Sequence, residues 1–227
     1  MNTSKYIVTK LDYDRILMPK GGLYNSVLVW MHGLGDSAEG YVDFFNGPSS
    51  PTPNSMKIIL LTAQAEPVTV NGGMIMNSWY DILNFNDTNN VDEANVSKNS
   101  QRVVDIIIKE ANSDFIKNDY KKIFIGGFSQ GACMSLYIGN TLNQNFAGIL
   151  SCSGYLFPFI KNINLSVPIF AYHGKADPII PYAKTVKSYE RLKENKNFYF
   201  NGENDLEHTF SYKELQEMEK FFNNYKI

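Results

Sequence analysis

Residues Lys121 to Ala132 read KKIFIGGFSQGA, and the fold turns on how that stretch is taken. Lys121 to Ile125 is a short, β-branched apolar run closed off by glycines, which predicts a buried strand. From Gln130 onward, Ala132, Met134, Ser135, Leu136 and Tyr137 are acceptable helix formers. Between the two lies Gly127-Phe128-Ser129-Gln130-Gly131, which fits G-x-S-x-G, the sharp strand-to-helix turn of a nucleophile elbow. A Cβ at either glycine would strike the neighbouring strand or helix. Ser129 is then expected at the tip in a strained conformation, its hydroxyl exposed and the helix N-terminus directed at it. At ordinary glycine and serine frequencies, about one chain in ten of this length carries the pattern by chance. The assignment therefore needs a strand before it, a helix after it and partners downstream.

Working outward, Ser26–Met31 (SVLVWM) and Lys57–Leu61 (KIILL) are near-continuous apolar runs, typical of parallel strands covered on both faces. Phe146–Cys152, Val167–Tyr172 and Phe198–Phe200 are further strands. Tyr6–Leu11 and Arg15–Met18 form a short pair ahead of a Lys20-Gly21-Gly22 turn. Tyr41, Phe44 and Phe45 sit at helical spacing. Val96, Val103, Val104, Ile107 and Ile108 mark one face of a long helix ending near Asn112. Tyr182, Val186, Tyr189 and Leu192 share another helical face, and Tyr212–Phe222 is a terminal helix. Ala63–Asn77, rich in Pro, Gly and Asn, and the polar Asn84–Asn95 are expected to be loops. Strands alternating with helices predict an α/β chain with one doubly wound, mostly parallel sheet and helices on both faces. With no repeat, linker or composition break, residues 1–227 are expected to form a single domain.

A formal net charge of -2 over 227 residues, without a Lys/Arg run, offers no basis for nucleic-acid binding. The two cysteines, Cys133 and Cys152, form no C-x-x-C, and three histidines make no zinc cluster. A reduced, intracellular protein is the simplest account, with the cytosol as its expected place. MNTSKYIVTK has no apolar signal core, and no later run is long enough to span a bilayer. Asn2 rather than glycine follows Met1, so a myristoylation signal is missing.

In open α/β sheets, ligands bind beyond the carboxyl ends of the strands. His32, Ser129, the segment His173–Asp177 and His208 all follow expected strands. Serine needs a base within hydrogen-bond reach, itself oriented by a carboxylate, and in this architecture the chain order is Ser, Asp or Glu, His. Ser129, Asp177 and His208 satisfy that order. In His173-Gly174-Lys175-Ala176-Asp177-Pro178, Gly174 permits a tight turn and Pro178 fixes the chain leaving the aspartate. Taken singly, Asp177 is an ordinary turn or cap aspartate and His208 a solvated loop histidine; behind the elbow they become a candidate catalytic triad. A tetrahedral intermediate needs two backbone donors. The N–H of Gln130 is one, and Gly33 and Gly35 free the backbone around Leu34 to supply the other. The His32 side chain is read as structural, bonding the loop that holds Leu34. Trp79 and Tyr80 are read as core aromatics and Cys152 as a buried thiol. No metal or cofactor is called for.

HGLGDS at His32–Ser37, NSWYDI at Asn77–Ile82, GGFSQGA at Gly126–Ala132 and HGKADPIIP at His173–Pro181 occur in one collinear series. Together they resemble the acyl-protein thioesterase/lysophospholipase family of small carboxylesterases over nearly the whole chain. The resemblance implies an α/β-hydrolase fold without a separate cap domain and hydrolysis of acyl thioesters or oxyesters. It implies Ser129 as nucleophile, Asp177 as orienting acid, His208 as base, and the N–H groups of Leu34 and Gln130 as oxyanion hole. It also implies an acyl groove under the loop after the W-[FY]-D-I block, here carrying Ile82, Leu83 and Phe85, with Ile179 on the opposite wall. The implied substrate is an acylated protein or lipid ester, met with at most transient contact with a membrane surface. A homodimer masking the groove mouth stays open. Three stretches depart from the family pattern, one of them the Asn-rich Asn84–Asn99, which matches nothing in detail. Asp205-Leu206-Glu207-His208-Thr209 replaces a small, glycine-containing run, and Leu150-Ser151-Cys152-Ser153-Gly154-Tyr155 alters the groove wall. A carboxylesterase for small soluble esters and a catalytically silent hydrolase fold that only binds are the competing readings.

Overall fold

The computed structural model describes residues 4–84 and 90–225. Its central strand is β3 (Ser26–Met31), in which every residue is buried. Such a strand exists only where both sheet faces are covered. Val27, Val29 and Met31 join one apolar layer, while Leu28 and Trp30 join the other. The period of two thus divides one strand between two cores.

The remaining strands are β1 (Tyr6–Leu11), β2 (Asp14–Pro19), β4 (Met56–Leu61), β5 (Ala65–Val68), β6 (Met74–Asn77), β7 (Ile123–Phe128), β8 (Gly148–Cys152), β9 (Ile169–Gly174) and β10 (Phe198–Glu203). Seven of them join β3 in one eight-stranded sheet in the order β1-β2-β4-β3-β7-β8-β9-β10. β1 pairs antiparallel with β2 and β2 antiparallel with β4, and every later neighbour is parallel. The helices are α1 (Val42–Asn46), α2 (Glu93–Ala111), α3 (Gln130–Thr141), α4 (Tyr182–Tyr189) and α5 (Tyr212–Tyr225). Phe45 of α1 and Met218, Phe221 and Phe222 of α5 cover one face. Residues of α2, α3 and α4, among them Val103, Leu136 and Tyr189, cover the other. This is the α/β-hydrolase architecture. After β3 the chain moves to one side of it, to β4, and the next strand added to the sheet, β7, lies on its other side. The loops leaving β3 and β7 therefore part at a topological switch point and leave a crevice.

Several expected elements are redrawn. β7 starts at Ile123, because Tyr120–Lys122 is a 3₁₀ turn whose Lys121 N–H donates to the Asp119 carboxylate. The strand then runs on to Phe128, through both glycines. β8 begins only at Gly148, and β9 extends to Gly174, so His173 lies within a strand. The expected loop Ala63–Asn77 is instead a hairpin, β5 with β6, closed by a 3₁₀ turn and by Gly72 at φ +68° and Gly73 at φ +79°. Four-residue strands, one of them carrying Pro67, are too short to display alternation. At the other end, the polar stretch before α2 stops at Asp92, whose carboxylate accepts the Ala94 and Asn95 N–H groups as a helix cap. On α4 it is Thr185, not Val186, that turns inward with Tyr189.

Candidate active site

The tight turn between β7 and α3 has a steric cause. A Cβ on Gly131 would stand 2.2 Å from the Met31 carbonyl oxygen, and one on Gly127 would stand 2.4 Å from the Gly131 carbonyl carbon. Only bare backbone fits between the end of β3 and the start of α3. Ser129 takes φ +54° and ψ -115°, a conformation that costs energy in a non-glycine residue and persists only when its surroundings impose it. Its N–H donates to the Cys152 carbonyl at 2.8 Å, tying the turn to the end of β8.

Three loops meet at that hydroxyl. His208 Nε2 lies 2.8 Å from Ser129 Oγ, and His208 Nδ1 lies 2.6 Å from Asp177 Oδ2. The second oxygen, Asp177 Oδ1, accepts the N–H groups of Ile179 and Ile180 at 2.8 and 2.9 Å. The fully buried His173 adds a further contact, its Nε2 lying 3.2 Å from Asp177 Oδ2 while donating to the Ile180 carbonyl at 2.8 Å. Burial alone would raise the Asp177 pKa. Hydrogen bonds from His173, His208 and the Ile180 N–H outweigh it and hold the carboxyl well below the usual carboxylate range. An ionised Asp177 accepts a proton held on His208 Nδ1 and leaves Nε2 as the ring atom facing the serine.

Gly174 serves this arrangement through close approach rather than by turning the chain. A Cβ there would lie 2.1 Å from the Leu206 carbonyl oxygen and 2.5 Å from that of Glu207. The loop bearing His208 thus rests its backbone directly on the end of β9. Asp205 makes the bend before it at φ +59°.

On the opposite side, Gly35 at φ +79° reverses the chain after β3, and its N–H donates to the Asn77 carbonyl at 2.9 Å. Among the described residues the Leu34 N–H has no backbone acceptor. The N–H of Gln130 is the first of α3, where a helix offers no carbonyl four residues back. Both residues line a cavity of about 300 Å³ that opens beside Ser129. Burial pushes the His32 imidazole down. Its Nδ1–H donates to the Gly33 carbonyl at 2.5 Å and its Nε2 accepts the Ala63 N–H at 3.0 Å. That is a structural role, supporting the turn that carries Leu34.

The same cavity is walled by Ile82 and Ile179, together with Tyr80, Phe128, Tyr155 and Ile180. Leu83 does not line it. With Ile82 turned inward, its neighbour Leu83 faces solvent. Phe85 lies outside the described residues. Tyr155 had a usable signal in the chain, because it follows β8 as Ser129 follows β7. The Gln130 side chain had none, since its partners lie in a segment remote in sequence, whereas the second histidine, His173, stands only four residues before Asp177. Cys133 and Cys152 are free, buried thiols, and burial pushes the Cys133 thiol up to about 12, which removes it from nucleophilic chemistry.

Comparison with known proteins gives consistent results. A family model described as phospholipase/carboxylesterase matches residues 14–226. The chain is 34% identical to acyl-protein thioesterase 1 of Emericella nidulans over 223 residues, covering 90% of this chain and 92% of that protein. It is 32% identical to acyl-protein thioesterase 1 of Neurospora crassa over 221 residues, covering 91% and 89%. Among solved structures, acyl-protein thioesterase 2 of Zea mays superposes with a TM-score of 0.78 at 25% identity, covering 94% of this chain and 99% of that one.

Proposed function

This chain belongs to the phospholipase/carboxylesterase family, and we propose that within it Ser129, His208 and Asp177 act as the catalytic triad of an acyl-protein thioesterase. The enzyme is a serine hydrolase acting on acyl esters and thioesters. The observation that carries the triad is the unbroken path from Ser129 Oγ through the His208 ring to Asp177, with separations of 2.8 and 2.6 Å.

In this reading His208 Nε2 takes the hydroxyl proton as Ser129 Oγ attacks the acyl carbonyl. Asp177 holds Nδ1–H in place and stabilises the imidazolium that forms. The N–H groups of Leu34 and Gln130 bind the developing oxyanion. As the tetrahedral intermediate collapses, the C–S or C–O bond breaks and the leaving sulfur or oxygen receives the proton from Nε2. Water then repeats the sequence on the acyl-enzyme, giving up a proton to His208, and the acid departs as Ser129 regains its hydrogen. No other group is required to balance either half-reaction.

The apolar walls formed by Ile82, Ile179 and Tyr155 favour an acyl chain over a small polar ester. The substrate is read as an acylated protein or lipid ester in the cytosol, approached with at most transient contact at a membrane surface. Among the described residues no helix is long and apolar enough to cross a membrane. We also take residues 1–227 as one domain, since a single sheet draws strands from both ends of the described chain. Ser129→Ala tests the reading. Hydrolysis of a p-nitrophenyl ester and labelling by a fluorophosphonate probe should both be lost; activity near the wild-type level would refute it. A rise in kcat/KM from acetyl to octanoyl esters is expected, and a flat series would favour small soluble esters.

A further inference from the structure

Two oxyanion donors on separate loops must point at one oxygen, and elements 51 residues apart in sequence tie those loops together. The Gln130 side chain is buried. Its Oε1 accepts the Trp79 N–H at 2.8 Å, across that separation of 51 residues, and its Nε2 donates to Ser78 Oγ at 2.9 Å and to the Tyr80 carbonyl at 2.6 Å. The same short segment also grips the other loop. Trp79 Nε1–H donates to the His32 carbonyl at 2.8 Å. Asn77 Nδ2–H donates to the Asp36 carbonyl at 2.8 Å, and the Asn77 carbonyl accepts the Gly35 N–H at 2.9 Å. These contacts bracket Leu34 on both sides, and among the described residues its N–H has no backbone acceptor.

We infer that Asn77–Tyr80 is a positioning brace, which sets the Leu34 and Gln130 N–H groups against each other through the Gln130 amide and the Trp79 indole. The inference rests on the reading of Ser129 as nucleophile and these two N–H groups as oxyanion hole. A core glutamine satisfied for its own sake would need partners on one loop only. Here its partner segment is bonded in turn to the second donor's loop, so loosening the amide frees one donor relative to the other. The segment continues directly into Ile82 on the cavity wall, so an acyl chain seated there presses on the element that aligns the oxyanion hole. Trp79 and Gln130 are thus positioning residues through their side chains, acting on turnover more than on substrate capture.

The test is Gln130→Met, which keeps length and apolar bulk but removes all three hydrogen bonds, with Trp79→Phe, which keeps a ring and removes the indole donor. Each is assayed with p-nitrophenyl octanoate beside Ser129→Ala, with a melting curve for every variant. Misplacing a donor by a fraction of an ångström should lower kcat about tenfold or more, with KM within about twofold. Affinity for an octyl boronic acid, which mimics the tetrahedral state on Ser129, should weaken in step with kcat/KM. Unchanged kcat in folded Gln130→Met, or a change confined to KM or to melting temperature, overturns the inference while an inactive Ser129→Ala leaves the triad standing. If Gln130→Met does not fold, Trp79→Phe decides by the same criteria. An active Ser129→Ala removes the underlying reading and the brace with it.

Discussion

Replacing Asp177 by asparagine isolates the electrostatic part of the site with almost no change in shape. The hydrogen bonds dictate which way the new amide points. Asp177 Oδ1 accepts two backbone N–H groups, from Ile179 and Ile180, at 2.8 and 2.9 Å. An NH₂ group in that place would face two donors, so the asparagine oxygen must stay there. Its NH₂ then occupies the Oδ2 position, 2.6 Å from His208 Nδ1. A ring nitrogen facing an N–H must accept, which moves the imidazole proton to Nε2. Nε2 now donates toward Ser129 Oγ and has no lone pair with which to take its proton. Loss of the correct tautomer in a serine triad costs about 10⁴ in kcat, or about 5–6 kcal/mol of transition-state stabilisation. The assay is turnover of a p-nitrophenyl ester at neutral pH, with a melting curve to establish that the variant is folded. Folded Asp177→Asn within about tenfold of wild type would refute the claim that Asp177 sets the tautomer.

Two further outcomes follow from other parts of the molecule. The Glu214 carboxyl on α5 is pushed up to about 8, first by burial and then by Glu203 and Glu217 nearby, against partial relief from Cys152 and the Ser211 contact. Its folded value lies above its unfolded one, so the stability it contributes is complete below about 4.5, declines as pH rises and is gone above about 8. The full span amounts to about 4–5 kcal/mol, and Glu214→Gln should flatten the fall in melting temperature between about pH 4.5 and 8; parallel curves for the two proteins over that range would contradict this. Gly131→Ala drives a methyl group to within 2.2 Å of the Met31 carbonyl oxygen, which forces backbone to move and should cost about 1–3 kcal/mol or more. Urea denaturation reads that cost as a lower midpoint, and because the end of β3 leads to Leu34, activity should fall with it. An unchanged midpoint would mean that the elbow is not as tightly closed as the structure has it.

Much of the fold was legible because burial on both faces of a parallel sheet writes long apolar runs into the chain. SVLVWM is a strand under any partner. Helical spacing in the same way marks α2 and α5. Boundaries and short elements were less legible. The β5–β6 hairpin has only four residues on each side, and the apparent strand start at Lys121 gives way to a turn capped by Asp119. His173 was expected after its strand and lies inside it. Val186 and Leu83 were expected to face inward, yet both turn to solvent. Thr185 takes the inner position on α4 through its hydroxyl contacts with the Gly154 carbonyl and His173 Nδ1, and Ile82 takes it beside Leu83.

The chain by itself determined which residue types stand at strand ends: a serine between two obligatory glycines, an aspartate, and three histidines. It did so because hydrophobic period and glycine placement act between near neighbours. Tertiary structure alone decided which of them meet. Ser129 and His208 are 79 residues apart and 2.8 Å from each other, an encounter that depends on the order of strands in the sheet and on carbonyls packed against Gly174. The same holds for Gln130 and Trp79. Contacts of this kind join segments distant in the chain, and no local pattern of side chains records them.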